Sequence, residues 1–214
     1  MVKVKWWGHA TFEIKGSKLT IITDPHGGSV GLPNPKCSGD IILVSHDHFD
    51  HYSKVEDVCK GGAEKVLWMT GTKTVKGIPI KGIQVFHDES KGSQRGKNVI
   101  YTFEMDGIKF CHLGDLGHVP SESQIREIGE VDVLFIPIGG VFTIDASGAT
   151  EVADLIKPKI VIPMHYKTPG LSLGLGDIKA FTKGKPRVKE IKSSEVEITK
   201  SNLPKETEIW VLKL

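Results

Sequence analysis

Alternating hydrophobic and polar positions predict β-structure in the first part of the chain. Residues 2–15 and 18–23 alternate and are rich in β-branched and aromatic side chains, and Gly16 and Ser17 supply a turn between them. Residues 41–44 form a continuous apolar run that is typical of a buried strand. These patterns predict a sheet that begins at the N-terminus.

Further along the chain, strand patterns alternate with helix patterns. Strands are predicted over residues 65–69, 78–87, 133–138, 160–164 and 208–212, with a hairpin over 98–112 that turns at Asp106-Gly107. Helices are predicted over residues 53–60, 121–128, 150–156 and 177–182. The helix over 53–60 rests on Ser53 as a cap with Glu56 in the first turn. This order predicts an α/β fold with two sheets and outer helices, in one domain over residues 1–214.

Composition narrows the class of protein. A hydrophobic fraction of 39%, a charged fraction of 25% and a formal net charge of +2 are ordinary for a globular protein. Positive and negative charges are interspersed, so no nucleic-acid partner is predicted. The 3 cysteines form no CxxC pair, which favours free thiols and a cytoplasmic location. No apolar run resembles a signal peptide or approaches the roughly 18 residues of a membrane span, so no membrane partner is predicted.

Potential metal ligands follow separate apolar runs. Asp24 follows LTIIT, His46 follows DIILVS, His87 follows GIQVF, Asp115 follows IKFCHLG, and His165 follows KIVIPM. In layered α/β architectures, ligands bind beyond the carboxyl ends of strands. We therefore expect these distant residues to meet in one crevice.

The stretch SHDHFDH, residues 45–51, contains three imidazoles and two carboxylates. His46 and His48 are two residues apart and face the same way in an extended segment, so they can bind one ion. Asp50 and His51 follow one turn further along the chain, where they are offset toward a second ion. The distant His87, Asp115 and His165 are needed to complete a site that leaves an open position for water.

SHDHFDH resembles the HxHxDH signature of the metallo-β-lactamase superfamily. TDP at 23–25, His87 after a strand, LGD at 113–115 and PMHY at 163–166 occur in the superfamily's order, so the resemblance covers residues from about 6 to 166. GHA at 8–10 resembles the branch that includes ascorbate-6-phosphate lactonase-like hydrolases. The resemblance implies a four-layer αββα sandwich with a metal site at one edge.

The resemblance also implies a ligand set. The first ion would be bound by His46, His48 and His87, and the second by Asp50, His51 and His165, with Asp115 bridging the two. His87 and His112 compete for one position. His87 is preferred because it leaves the sheet at an edge. His112 and Asp24 are then expected to hydrogen-bond the ligands rather than bind metal.

Further polar residues have predicted roles toward substrate. His9 is expected to bind substrate at the rim, and His118 to donate a proton to the leaving group. Lys167 flanks a ligand loop and could attract an anion. Asp145 is interpreted either as the cap of the following helix or as a substrate contact at the mouth.

The leading functional hypothesis is a hydrolase with two divalent metal ions per chain. Zn²⁺ is expected, while Mn²⁺, Ni²⁺ and Fe²⁺ suit the same histidine and carboxylate ligands. The predicted substrate is a small anionic phosphodiester, phosphorylated lactone or similar ester, and Asp50 is expected to take a proton from the attacking water.

A redox function is an alternative, because diiron redox proteins share this fold. Their motif resembles HxExDH, with a carboxylate where this chain has His48, so His48 argues against a redox function. A nuclease and a catalytically silent binding protein are two further hypotheses, and the oligomeric state is left open.

Overall fold

The computed structural model describes residues 1–214 as two mixed β-sheets that pack face to face, with short helices. The strands are β1 (Val2–Gly8), β2 (Thr11–Lys15), β3 (Thr20–Thr23), β4 (Gly39–Val44), β5 (Cys59–Leu67), β6 (Gly71–Val75), β7 (Ile78–Phe86), β8 (Lys97–Met105), β9 (Ile108–His112), β10 (Val133–Pro137), β11 (Ile160–Met164), β12 (Val188–Ile191), β13 (Glu195–Ile198) and β14 (Glu208–Leu212). The helices are α1 (Phe49–Tyr52), α2 (Glu122–Ile128), α3 (Ala146–Ile156) and α4 (Ile178–Thr182). The six-stranded sheet has the order β13-β1-β2-β3-β4-β5, and the eight-stranded sheet has the order β12-β14-β11-β10-β9-β8-β7-β6.

The core lies between the facing sheets. In β1 the buried residues Val2, Val4 and Trp6 alternate with more exposed ones, as one side of a half-buried strand requires. Phe12 of β2 meets Phe135 of β10 across the interface, with ring centroids 4.2 Å apart. Burial of this apolar surface is the main term that stabilises such a sandwich.

The two sheets are covered differently on their outer faces. Helix α2 contacts β7, and α3 contacts β10 and both neighbouring helices. On the six-stranded sheet, a smaller apolar cluster forms instead, where Val55 and Val58 cover Ile22, Ile42 and Val44. The predicted α/β fold is confirmed.

The helix predicted over residues 53–60 is wrong. Ser53 ends the short helix α1, turns follow it, and β5 begins at Cys59, which pairs with Gly39 of β4. Pairing with a buried parallel strand therefore overrides the local capping signal.

The remaining local predictions differ mostly in their boundaries. The 98–112 hairpin forms as β8 and β9, and Asp106 and Gly107 both have positive φ, as a type I′ hairpin turn requires. The run predicted over residues 2–15 is divided into β1 and β2 at Gly8, whose φ is 98°. The unpredicted strands β6, β12 and β13 are all edge strands of their sheets.

Strand direction brings the candidate ligands to one edge of the sandwich. Strands β1, β3 and β4 run the same way in the first sheet, and β7, β9 and β11 run the same way in the second. Their carboxyl ends carry the loops that contain the predicted metal residues. None of the helices has the length and apolar composition that would let it cross a membrane.

Candidate metal centre

The HxHxDH segment has two conformations in succession. His48 is extended, with φ −117° and ψ 146°, and the carbonyl of His48 accepts hydrogen bonds from His51 N at 2.9 Å and Tyr52 N at 3.1 Å. Helix α1 buries Asp50 and His51, while Phe49 is 59% exposed. The segment is therefore a strand end followed by a single helical turn. This change of conformation directs histidines and a carboxylate that are close in sequence toward the interior of the protein.

The structure brings the predicted ligands together in three overlapping groups whose donor atoms lie within 4.8 Å of one another. These groups are His46, His48 and His87; His46, His51 and Asp115; and His9, Asp50, His51 and His165. The first and third groups share no residue, and the second group links them. Two neighbouring metal positions are compatible with this arrangement.

Asp115 lies at the centre of these groups. Its Oδ1 is 3.1 Å from His51 Nε2, and its Oδ2 is 3.2 Å from Nε2 of both His87 and His165. Its backbone N–H donates to Asn98 Oδ1 at 3.0 Å, which orients the residue. One buried carboxylate is thus within reach of donors from the loops after β4, β7 and β11.

A second carboxylate, that of Asp24, contacts the imidazoles of His112 and His51. Asp24 Oδ2 is 2.7 Å from His112 Nε2 and 3.1 Å from His51 Nδ1. Ser45 donates to the same carboxylate through its backbone N–H at 2.7 Å and its hydroxyl at 2.8 Å, and that hydroxyl is 2.9 Å from His46 Nδ1. The Nε2 atoms of His46 and His51 are thereby left for a metal. His112 belongs to none of the three groups, whereas His87 does.

Three site residues at strand ends have left-handed backbone conformations. His9 has φ 51°, Asp24 has φ 37° and His165 has φ 51°. Such a conformation costs of order 1 kcal/mol for a residue with a side chain, and it persists where the surrounding structure enforces it. Two of the three are joined through the backbone, since His165 N donates to the His9 carbonyl at 3.2 Å.

The electrostatics of the site favour a cation. Burial opposes ionisation of Asp115, but the neighbouring His165 and His51 hold the pKa of Asp115 well below its ordinary value. Burial also opposes protonation of His51, yet Asp115 and Asp24 raise the pKa of His51 well above its ordinary value. Burial lowers the pKa of His46 to about 3, which keeps this imidazole neutral and able to bind metal.

The donor atoms fit a metal ion. Asp115 Oδ1 and the Nε2 atoms of His46, His51 and His165 are buried, and none forms a well-aligned hydrogen bond within the protein, although His51 and His165 Nε2 lie 3.1 and 3.2 Å from Asp115 oxygens. Buried polar atoms without partners cost about 1–3 kcal/mol each, so they are rare unless something else satisfies them. Imidazole and carboxylate donors without thiolates suit Zn²⁺ and other first-row divalent ions.

His9 lies inside the site rather than at its rim. It is 1% exposed, and its Nε2 is 3.0 Å from Asp50 Oδ2. Its ring centroid is 4.3 Å from that of His165. The expected position at the rim is therefore wrong, because the turn after β1 directs the imidazole inward against the carboxylate.

His118, Asp145 and Lys167 lie outside the three groups. His118 Nε2 accepts from Phe86 N at 3.1 Å and its Nδ1 lies 2.9 Å from the Val119 carbonyl, so both ring nitrogens have backbone partners. Its role as a proton donor stays a prediction. Asp145 caps α3 by accepting from Ser147 N and Gly148 N, both at 2.9 Å.

Two residues without a predicted role hold the ligands in place. Ser45 directly precedes His46. A metal-binding imidazole needs a hydrogen-bond partner on its second nitrogen, and this requirement could have identified Ser45 from the sequence. Asn98 is fully buried, and it joins Asp115 N to the Leu113 carbonyl. No local pattern indicates Asn98, because its partners come from another part of the chain. Gly114, which lies between Leu113 and Asp115 in the chain, has φ 54°, and a Cβ at this position would overlap Asn98 and Ser45.

Two cavities reach the candidate ligands from outside. One, of about 530 Å³, is lined by His46, His48, Trp68 and Lys97 as well as Arg95. The other, of about 420 Å³, is lined by His87, Arg95, Phe142 and Asp145 among others. Arg95 is the cationic residue common to both.

Comparison with known proteins identifies the family. Residues 3–165 match the family described as the Beta-lactamase superfamily domain. The chain belongs to the metallo-β-lactamase superfamily. A protein named UPF0173 metal-dependent hydrolase from Thermococcus onnurineus is 31% identical, over 92% of this chain and 99% of its own length. A protein with the same family name from Thermoplasma volcanium is 33% identical, over 78% of this chain and 84% of its own length.

A solved structure supports the same assignment. It is a crystal structure from Thermotoga maritima, described as a candidate Zn-dependent hydrolase of the metallo-β-lactamase superfamily. It is 39% identical and covers 99% of this chain and 98% of its own, with a TM-score of 0.82. The predicted class is confirmed at this level, and the chain is a metal-dependent hydrolase of this superfamily.

Proposed function

We propose that the protein is a dinuclear hydrolase of small anionic substrates, either phosphodiesters or phosphorylated lactones and esters. The observation that carries the dinuclear part is the pair of separate donor groups on either side of Asp115. His46, His48 and His87 would bind one ion, and Asp50, His51 and His165 the other, with Asp115 between them. Zn²⁺ is the expected metal, with Mn²⁺, Ni²⁺ and Fe²⁺ as alternatives.

Bound metal ions supply an activated water and polarise the substrate oxygen that gains charge. The chain's own residues prepare this chemistry. His9 Nε2 engages Oδ2 of Asp50 at 3.0 Å, which orients the carboxylate that would bind the second ion and take a proton from the attacking water. Burial opposes ionisation of Asp50, but its hydrogen bond to His9 and the charge of His51 lower its pKa, so it is a carboxylate at neutral pH.

An anionic substrate is supported by two cations that line the metal-facing cavities, although Asp88, Glu89 and Asp145 line the smaller cavity as well. Arg95 lines both metal-facing cavities, and Lys97 lines one of them. The backbone of Arg95 is held in place because its N–H donates to Asp88 Oδ2 at 2.7 Å. Asp88 also accepts from Ser90, Gly92 and Gln94 N–H groups, so this loop has a defined conformation.

A redox function of the diiron type is the second hypothesis. His48 belongs to a donor group with His46 and His87, whereas the diiron motif has a carboxylate at that position. The hydrolytic function is therefore preferred. The cytoplasmic location is also a proposal, supported by Cys37, Cys59 and Cys111, none of which forms a disulfide.

The substrate class is tested with bis(p-nitrophenyl) phosphate, a phosphorylated lactone and a neutral p-nitrophenyl ester, with metal content measured in parallel. Arg95→Gln should raise KM for the two anionic substrates about tenfold and leave the neutral ester unaffected, since a charged hydrogen bond contributes about 1.5–3 kcal/mol. Lys91→Gln is the matched control, because Lys91 is on the same loop but lines neither cavity. An equal change for charged and neutral substrates would contradict the anionic assignment, and one bound ion per chain would contradict the dinuclear one.

A further inference from the structure

A larger cavity beside the metal centre contains none of the candidate ligands. Its volume is about 720 Å³, within the range of roughly 300–1,000 Å³ that is usual for small-molecule sites. Its walls come from the end of β1, the loop around residues 32–36, the loop after β11 and the end of β14. Because Trp7 and Tyr166 are close neighbours in sequence of His9 and His165, this wall of the cavity lies close to the metal centre.

The walls of this cavity are largely apolar. Trp6, Trp7, Leu32, Tyr166 and Leu214 contribute to them. The Trp6 and Tyr166 rings stack with centroids 5.3 Å apart, so part of the wall is rigid and aromatic. Such a wall favours an apolar ligand group.

All charged side chains that line the cavity are lysines, namely Lys5, Lys36, Lys167 and Lys213. No aspartate or glutamate lines it, and none of the four lysines forms a salt bridge. Lys5 Nζ lies 4.0 Å from the Trp7 ring centroid. Unpaired cations around an apolar cavity are complementary to an anion that carries an apolar group.

A buried hydroxyl in this cavity also lacks a partner. Thr168 is 9% exposed, and its Oγ1 is buried without a hydrogen bond. Lys167 precedes it and is exposed at the same cavity. A polar ligand group placed here would pair with the Lys167 ammonium group, and it would accept from the Thr168 hydroxyl once that side chain rotates toward the cavity, because the hydroxyl oxygen itself has almost no accessible surface.

We propose that this cavity binds an amphiphilic organic anion. Its apolar part packs against Trp6, Trp7 and Tyr166, and its acidic group binds at Lys167 and Thr168. The predicted contact of Lys167 with an anion is thereby moved from the metal-facing cavities to this one. Because the site contains no candidate metal ligand, it does not depend on the hydrolytic function proposed above.

The test is a calorimetric titration of the metal-loaded full chain with decanoate below its micelle concentration, together with tryptophan fluorescence. Decanol, decyltrimethylammonium and inorganic phosphate separate the apolar from the anionic contribution. We expect saturable binding of decanoate, at least tenfold weaker binding of decanol, and no measurable binding of the cation or of phosphate alone. Higher ionic strength should weaken decanoate binding, because exposed charges are screened.

Three variants locate the site. Ser194→Trp should fill the cavity and abolish binding, since Ser194 lines the wall. Thr168→Val, which keeps the side-chain shape, and the double variant Lys36→Gln/Lys167→Gln should each weaken decanoate binding about threefold to tenfold, with decanol binding unchanged. The double variant Lys73→Gln/Lys183→Gln removes the same charge away from the cavity and should have no effect.

The proposal is overturned if decanoate and decanol bind equally well, because the cavity would then recognise only apolar groups. It is also overturned if decanoate does not bind, or if Ser194→Trp leaves its binding unchanged. A concentration-dependent dimer that Ser194→Trp dissociates would make a second copy of the chain the occupant instead. Hydrolysis of phosphodiesters by the same preparation is measured separately, so that loss of the metal-centre function is distinguished from loss of this site.

Discussion

Asp115 contacts histidines from three different strand-end loops although its carboxylate is almost completely buried. A buried charge of this kind is costly unless cations or hydrogen bonds compensate it. One of its oxygens, Oδ1, has no hydrogen-bond partner. The residue is therefore suited to bind metal, and in the metal-free fold His51 and His165 compensate its charge.

Asp115→Asn should abolish phosphodiester hydrolysis, by roughly 10³-fold or more, if the carboxylate supports the metal-activated water. The fold should be kept, but the free energy of unfolding of the metal-free protein should decrease, by up to roughly 3–5 kcal/mol, because the change leaves the buried His51 without the carboxylate that compensates its charge. Activity, metal content and urea denaturation check this expectation. Asp57→Asn, at an exposed carboxylate, is the control, and unfolding of the Asp115 variant at ordinary temperature would show that the residue is structural.

His9 acts on another residue of the site, since its Nε2 engages Asp50 Oδ2 at 3.0 Å. His9→Gln should lower kcat by about 10–100-fold, the usual cost of losing a residue that orients a metal-site carboxylate. KM and metal content should change little. Loss of one equivalent of metal in the variant would instead place His9 among the ligands, and full activity would remove it from the mechanism.

At the scale of single elements, Asp145 at the start of helix α3 could act either on substrate or on helix stability. Asp145 borders the cavity that reaches His87, yet its side chain accepts two backbone N–H bonds at the start of α3. Such a cap satisfies N–H groups that have no partner within the helix. The local geometry thus supports the capping interpretation directly.

Two substitutions at Asp145 separate these roles. Asp145→Ala should lower the free energy of unfolding by about 1 kcal/mol, whereas Asp145→Asn should be nearly neutral, because asparagine caps a helix as well as aspartate does. Both variants should keep the wild-type kcat/KM. Reduced kcat/KM in the asparagine variant, with unchanged stability, would show that the carboxylate contacts substrate.

At the scale of the whole molecule, burial of the metal edge makes folding sensitive to acid. Burial, reinforced by the charge of His165, lowers the pKa of His9 to about 3, and burial lowers the pKa of His46 to about 3 as well. In the unfolded chain both imidazoles titrate near pH 6.5. Between these values, the unfolded state therefore binds more protons than the folded state does.

The metal-free protein should lose stability as the pH falls from about 6.5 to about 4.5, with each such histidine contributing up to about 1.4 kcal/mol per pH unit. His51, whose pKa is raised, has the opposite effect only above about pH 6.5, so it does not cancel this slope. Urea denaturation in a chelator at several pH values measures the slope. His9→Gln should make it shallower by about one histidine, and an unchanged slope would contradict the buried neutral state of His9.

Short segments of the sequence were enough to predict the strand-rich α/β class, the Asp106-Gly107 hairpin and the series of candidate ligands at strand ends. These features depend on local chemistry, because side-chain alternation, turn conformation and the spacing of the motif SHDHFDH are properties of neighbouring residues. The 53–60 segment shows the limit of such signals, since its capping pattern is present but β5 pairs with β4 instead.

The packing of the two sheets was needed to establish which donors share an ion position and what orients them. Asn98 bonds to Asp115, and His9 bonds to Asp50, although 41 residues separate the latter pair. The same packing places Lys167 at a separate apolar cavity. The physical reason is that distances between strand ends depend on how two sheets are ordered and packed, and no segment of the chain contains that information alone.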